Sequence, residues 1–379
     1  MTAITPIRVN QNSTMNALTA TDAIEWADPA RASAFGGWLA SVATAHSLQT
    51  GSVRLASSDA SFRRYFRVDT TGGDVGKTCI IMDAPPDKEN CESFVKVAHL
   101  MQRAGLSAPR VLAWDQNRGF MLLTDLGAQT MMELINPPAD VHAIAQPTAA
   151  VEAMYAQAVD ALVQWQLASR PDVLPLYDEA LLSRELALLP DWYVARHRAI
   201  VLSVSQQNTL DDAFKLITAS NLQSLGSARV FVHRDFMARN LMVTGRQLGV
   251  LDFQDAVYGP ITYDIASLMR DAFLTWEEDF VLDITVRYWQ KARAAGLPVG
   301  DDFGEFYRAV EWMGLQRHIK ILGIFARLTL RDGKAKYLAD TPRFIKYVRA
   351  TCARYRQLGP LMVLLDQIEG NETRIGYTF

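Results

Sequence analysis

The chain has 379 residues, 49% of them hydrophobic and 21% charged, with a formal net charge of −3. That length serves one large bilobal unit or two domains, and the slightly acidic balance excludes a nucleic acid or a membrane surface held by bulk charge. The three cysteines, Cys79, Cys91 and Cys352, fall at no metal-like spacing and make no disulfide framework, as suits a reducing cytoplasm.

Residues 1–48 read as a tail followed by a covering helix. The opening MTAITPIRVNQNSTMNALTA lacks the basic segment and apolar core of a secretory signal, and Met15 is an alternative start. No apolar run reaches the roughly 18 residues of a membrane span. Asp28 to Ala45 has the pattern of one amphipathic helix carrying Trp38 and Leu39.

Val53 to Val68 predicts a strand, a small-residue turn and a second strand, with Phe62, Arg64 and Phe66 alternating against Arg63, Tyr65 and Arg67. The turn holds Ser57, Ser58, Asp59, Ala60 and Ser61. Small residues there let backbone N–H groups approach a phosphate, with Arg63 or Arg64 adding charge. The same residues read equally as a surface hairpin. A strand follows over Lys77 to Met82, and a helix over Lys88 to Arg103 with Phe94, Val97, Ala98 and Met101 at helical spacing. Arg110–Trp114 and Phe120–Thr124 make a hairpin turned at Asn117-Arg118-Gly119. Beyond Thr130 the pattern is helical: Ala149 to Ala168, a helix opened by Ser183-Arg184-Glu185-Leu186 and running past Trp192, and a long one over Glu311 to Leu328.

The densest chemistry lies in FVHRDFMARNLMVTGRQLGVLDFQDAVYGPITY, residues 231–263. Val230–Val232 and Leu248–Leu251 read as short buried strands, each followed by acidic residues that the strands hold still and the loops leave open. Asp235 and Asn240 stand five apart, and Asp252 follows twelve later. Phosphoryl transfer needs a carboxylate to receive the proton of the attacking hydroxyl, and oxygen ligands that hold Mg²⁺ on the phosphates. Asp235 supplies the first. Asn240 and Asp252 supply the second. Asp255 faces either the metal or the acceptor, or solvent. Tyr263-Asp264 begins a helix capped by Asp264 or Thr262.

H-R-D-x-x-x-x-N followed by D-F-Q-D resembles the catalytic and metal loops of the protein-kinase-like phosphotransferases, in their aminoglycoside-phosphotransferase branch. The resemblance runs from about residue 50 to 360 and implies an α+β, bilobal fold: a small mixed N-lobe over 49–124, then a hinge and a mostly helical C-lobe over 125–379. It makes Asp264 a brace for the catalytic loop. It places ATP against Ser58, Ser61, Arg63, Arg64 and Asp125, and makes Glu92 the candidate to pair with a cation, although with its usual lysine partner absent Glu92 reads more simply as a solvated helix-face residue. The usual phosphate-pairing lysine is replaced by Met82, so that Lys77, Lys88 or a hairpin arginine takes its part.

S-x-D-A-S-F-R-R-Y-F-R, M-D-A-P-P and L-Q-R-H-I-K-I-L-G-I-F-A-R-L are similar to segments of the bacterial kinases that phosphorylate N-acetylmuramate and N-acetylglucosamine at the anomeric hydroxyl. That implies a cytoplasmic, ATP- and Mg²⁺-dependent enzyme of peptidoglycan recycling, without a nucleic-acid, membrane or obligate protein partner. Trp276 is expected against the sugar face and Arg317, beside His318 and Lys320, near an acidic sugar substituent; equally, Trp312 of that helix reads as core and its cations as solvated. An aminoglycoside acceptor would want carboxylates there instead. A kinase of the same fold for an aminoglycoside, choline or homoserine, and a non-catalytic nucleotide-binding regulator, remain the alternatives.

Overall fold

The computed structural model describes residues 24–58, 62–72, 76–137, 143–245 and 247–371. The expected tail over 1–23, and Ser61 with its turn, lie outside the described residues. The chain divides into two compact units, Met1–Cys91 with Val111–Asp125, and Glu92–Arg110 with Leu126–Phe379.

The first unit is built on an antiparallel sheet in the order β1-β2-β3-β5-β4, from β1 (Arg54–Ser58), β2 (Arg64–Asp69), β3 (Thr78–Asp83), β4 (Val111–Asp115) and β5 (Phe120–Thr124). Period-two alternation sends Phe66, Val68, Cys79, Ile81, Phe120 and Leu122 into one core. Helix α1 (Pro29–Ala43) completes that core with Phe35, Trp38 and Leu39. It starts where Asp28 accepts the Ala30 N–H at 2.8 Å, with Pro29 at the first helical position. Gly119 closes the β4–β5 turn with a φ of +71°, and a Cβ there would run into the Ala84 carbonyl.

Helix α2 (Glu92–Arg103) was expected within the N-lobe, yet it groups with the second unit. Its apolar face explains this. Phe94 lies 4.8 Å, ring to ring, from Phe253, and the segment after it accepts the Val250 N–H at the Ser107 carbonyl, 2.7 Å away.

The rest of the second unit is helical around two short ribbons. The helices in order are α3 (Met131–Ile135), α4 (Ala149–Leu167), α5 (Glu179–Leu186), α6 (Val204–Gln223), α7 (Tyr263–Met269), α8 (Glu278–Ala294), α9 (Phe303–Leu330), α10 (Thr341–Arg354) and α11 (Gly359–Glu369). The ribbons pair β6 (Arg229–Val232) with β9 (Val257–Pro260), and β7 (Leu241–Val243) with β8 (Leu248–Val250). Helix α5 starts earlier than its Ser-Arg-Glu-Leu sequence suggests, because Asp178 caps it by accepting the Leu181 N–H at 2.8 Å. A π-helical stretch, Leu189–His197, follows it. Helix α9 is buried on nearly every side from Phe306 to Ala326, which makes it the axis of the unit. Among the described residues no helix is long and apolar enough to cross a membrane.

Candidate active site

Strand β6 ends at Val232, and the chain then crosses to β7 through His233-Arg234-Asp235 and a single turn at Ala238–Asn240. Strand β8 ends at Val250, two residues before Asp252. Two non-glycine residues here have left-handed backbones, Arg234 (φ 78°) and Asp252 (φ 61°). Such strain persists only where the surroundings over-determine it, and they do. Asp264, second residue of α7, accepts the N–H of His233 at 2.7 Å and of Arg234 at 2.9 Å. Asp271, seven residues on and fully buried, accepts the Ala238 N–H at 3.3 Å and the Phe273 N–H at 2.8 Å. Thr262 holds the N-cap position of α7 without a side-chain bond, so Asp264 serves the loop rather than its own helix.

His233 links the two strand ends. Its Nε2 lies 2.9 Å from the Leu251 carbonyl, and its Nδ1 accepts the Asp235 N–H at 3.3 Å. The two contacts fix one tautomer, with the proton on Nε2. Burial lowers the imidazole's pKa, against the opposing pull of Asp264 and Asp235, and keeps the ring neutral.

Asn240 joins the other two residues of the motif. Its Nδ2 donates to the Asp235 carbonyl at 2.9 Å and to Asp252 Oδ2 at 3.3 Å. Gln254 Nε2 donates to Asp252 Oδ1 at 2.9 Å. With the Asn240 amide nitrogen spent, its Oδ1 is left as a neutral oxygen donor beside the Asp252 carboxylate. One carboxylate and one amide oxygen suit Mg²⁺, which takes few protein ligands and completes its shell with phosphate oxygens and water. Among the described residues no group of three or more His, Cys, Asp or Glu gathers as an all-protein metal cage. Burial opposes ionisation of Asp235, but Lys320, Arg317 and Arg234 outweigh it and hold the carboxyl below its usual range. Asp235 is therefore an anion able to accept a proton.

Those cations are themselves anchored. Arg317 is 2% exposed; its Nη1 donates to the Arg234 carbonyl at 2.6 Å, and its guanidinium lies 4.8 Å above the Tyr263 ring. Glu185 of α5 accepts from Arg234 at 2.6 Å, Tyr177 Oη at 2.7 Å, Lys320 Nζ at 2.8 Å and Gln316 Nε2 at 2.9 Å. Burial alone would raise its pKa, but Lys320 and Arg234 bring it down to about 2. Neither Glu185 nor Asp271 belongs to a recognisable motif.

Other expected site residues are placed differently. Arg317 is buried and braces the loop from inside. Trp276 is core: it is 5% exposed, its indole N–H donates to Tyr155 Oη at 2.7 Å, and its ring packs on Phe280. His318 is equally inward, stacked on Tyr347, with its pKa lowered to about 3 by burial and by Arg270. The basic stretch of α9 is thus a buried, compensated cluster, and it does not argue for an acidic sugar. Asp255 remains exposed, and its carbonyl accepts from Arg234 at 3.4 Å.

In the first unit Ser58 closes β1. Arg63 is buried in an ion pair with Glu89 at 2.9 Å. Arg64 forks onto Asp83, its register partner on β3, and stacks 4.0 Å from the Trp26 ring, so it braces the sheet. Asp125 accepts from Arg67 at 2.6 Å and Thr78 Oγ1 at 2.7 Å. Met82 is fully buried in β3, while Lys77 is exposed and Lys88 lies 4.7 Å above the Phe62 ring.

Residues 52–301 match the model of the phosphotransferase enzyme family. The chain is 46% identical over 329 residues to the N-acetylmuramate/N-acetylglucosamine kinase of Neisseria meningitidis serogroup B, covering 86% of this chain and 93% of that one. It is 47% identical over 313 residues to the protein of the same name from Pseudomonas aeruginosa, covering 83% and 87%. Its fold is similar to that of choline kinase from Cryptosporidium parvum, with a TM-score of 0.58 at 11% identity over 87% of this chain and 99% of that one. The fold is protein-kinase-like.

Proposed function

The chain belongs to the phosphotransferase enzyme family, and on that premise we propose that it transfers the γ-phosphoryl group of ATP to a hydroxyl of an amino sugar, N-acetylmuramate or N-acetylglucosamine. The hydroxyl is the anomeric one, the product is the sugar 1-phosphate, and the setting is peptidoglycan recycling in the cytoplasm. One observation carries the phosphotransfer part: Asn240 bonds at once to the Asp235 backbone and the Asp252 carboxylate, gathering a base and two cation ligands. The choice of an amino sugar is supported by the names of the relatives and by the motifs they share with this chain. It draws no support from the cations of α9.

In this reading Asp235 takes the proton of the acceptor hydroxyl. The new O–P bond forms while the bond from the γ-phosphorus to the β,γ-bridging oxygen breaks, and ADP departs. Asn240 Oδ1 and Asp252 would hold Mg²⁺, which when bound neutralises charge on the phosphate oxygens. Asp264, His233 and Arg317 hold the loop backbone so that the Asp235 carboxylate meets the hydroxyl without reorganising.

The test is a panel of N-acetylmuramate, N-acetylglucosamine, an aminoglycoside, choline and homoserine, each read by ADP release with Mg²⁺ present. Turnover of the two amino sugars is expected, with phosphorus–H1 coupling in the NMR spectrum of the product. Turnover of cationic alcohols alone would overturn the amino-sugar reading. Phosphorylation at another sugar hydroxyl would overturn the anomeric one and leave the kinase standing.

A further inference from the structure

We propose that Glu185 is a positioning residue for phosphoryl transfer: by gripping the Arg234 guanidinium it holds the strained backbone before Asp235, and so aims the base. The inference rests on the phosphotransfer reading of Asp235.

Arg234 is the residue on which the loop turns. Its φ of 78° lies in a region that a side chain ordinarily avoids. Both of its backbone polar groups and both terminal guanidinium nitrogens are held, while its buried Nε has no partner. The N–H goes to Asp264, the carbonyl accepts from Arg317 and from Ser267 Oγ, and the guanidinium donates to Glu185 and to the Asp255 carbonyl. The peptide between Arg234 and Asp235 sets where the Asp235 side chain emerges. A relaxation of Arg234 toward ordinary φ rotates that peptide and carries the base with it.

Two of these ties come from neighbours already tied to the motif, Asp264 and Asp255. The Glu185 tie comes from α5 and is the one of these five made by a charged pair through the side chain. Glu185 is built for the task. It is 5% exposed and takes four donors at 2.6–2.9 Å, from the α5 approach, the catalytic loop and α9. A carboxylate so buried is retained only where its partners are fixed too. Lys320 shares it, and Arg317 stands three residues earlier on the same helix. Removing the Glu185 charge frees Arg234 and Lys320 together. Asp235 is another carboxylate whose charge both cations already feel. A freed cation paired with Asp235 would occupy the base as well as misdirect it.

The experiment measures kcat and KM for ATP and for the sugar in wild type, Glu185→Gln, Arg234→Gly and the double variant. Glycine takes the left-handed backbone without strain, so in the Arg234→Gly background the grip is no longer needed. Glu185→Gln is expected to lower kcat about 30-fold in the wild-type background, with KM for ATP within about threefold, and to lower it less than about fivefold beside Arg234→Gly. Equal losses in the two backgrounds would overturn the proposal, as would a lower melting temperature with kcat intact below it.

Should Glu185→Gln fold poorly, Glu185→Gln/Lys320→Met removes one buried anion and one buried cation together. It should fold and still lose about tenfold or more in kcat, because Arg234 remains unanchored. Wild-type kcat in that variant would refute the role. A wild-type protein that phosphorylates no alcohol would instead defeat the functional reading beneath it.

Discussion

Asn240 spends one amide group on two acceptors, and this places the Asp235 backbone and the Asp252 carboxylate within one hydrogen-bond step of each other. The chemistry at this scale is separable from the folding. Asp235→Asn removes the proton acceptor but keeps the side-chain shape, and Asp235 bonds the loop through its backbone N–H and carbonyl. It should lower kcat by about 10²–10⁴-fold with KM for ATP nearly unchanged. Steady-state kinetics beside a melting curve checks this, and an undiminished kcat removes Asp235 from the role of base. Asp264→Ala should behave otherwise. It leaves the buried N–H groups of His233 and Arg234 without an acceptor, at about 1–3 kcal/mol each. Stability and kcat should fall together, and a variant that melts like wild type would refute the brace. These residues were legible in the sequence because their spacing is local: strand, loop, turn and strand within about thirty residues. Glu185 was not. Its partners on the catalytic loop and on α9 lie 49 and 131 residues away, and a single sequence carries no sign of such a pairing.

Helix α9 shows the limit of periodicity. Trp312, Gln316 and Ile319 do share one side, as helical spacing requires, but the opposite side is buried as well. A pattern that alternates apolar and basic residues tells which side chains lie together, and not whether their common neighbour is solvent, a substrate or a buried carboxylate. For want of that knowledge the sequence alone puts Arg317 near the acceptor, and Trp276 likewise, its phenolic partner Tyr155 being 121 residues distant. The short strands β7 and β9 escaped notice because three or four residues are too few to show a period. Gly323 is where the packing of this helix can be tested. A glycine in a helix interior ordinarily gains about 1 kcal/mol on replacement by alanine. A Cβ at Gly323 would instead strike the backbone of Leu188, just before the π-helical stretch. Gly323→Ala is therefore expected to destabilise the protein by about 1–3 kcal/mol. Urea unfolding decides the sign, and a stabilised variant would show that α9 does not approach Leu188 so closely.

Over the whole molecule the buried ionisable groups pull stability in opposite directions as pH falls. His318 and His233 are held neutral, with pKa values below those of the unfolded chain, that of His318 at about 3. The unfolded chain takes up these protons first, so stability is lost as pH drops through about 6.5. Asp271 and Asp264 are raised by burial, Asp271 to about 6, so the folded protein takes up those protons first and gains stability over part of the same range. Glu185, at about 2, contributes stability that is present above its unfolded value near 4.5 and lost further down. Between pH 7.5 and 5, at about 1.4 kcal/mol per pKa unit, His318 alone removes about 2 kcal/mol and Asp271 returns about 1. Of these two His318 outweighs Asp271, and the urea midpoint of the wild-type protein should fall across this interval. His318→Gln retains an N–H for the Arg270 carbonyl, which His318 Nε2 faces at 3.3 Å, without a titrating ring, and should shrink the fall. Asp271→Asn removes the offset and should enlarge it. The two variants, both changed within the second unit, thus move one slope in opposite directions. A wild-type midpoint that rises toward pH 5, together with a His318→Gln slope identical to it, would mean that His318 is protonated in the folded state and that α9 does not bury it.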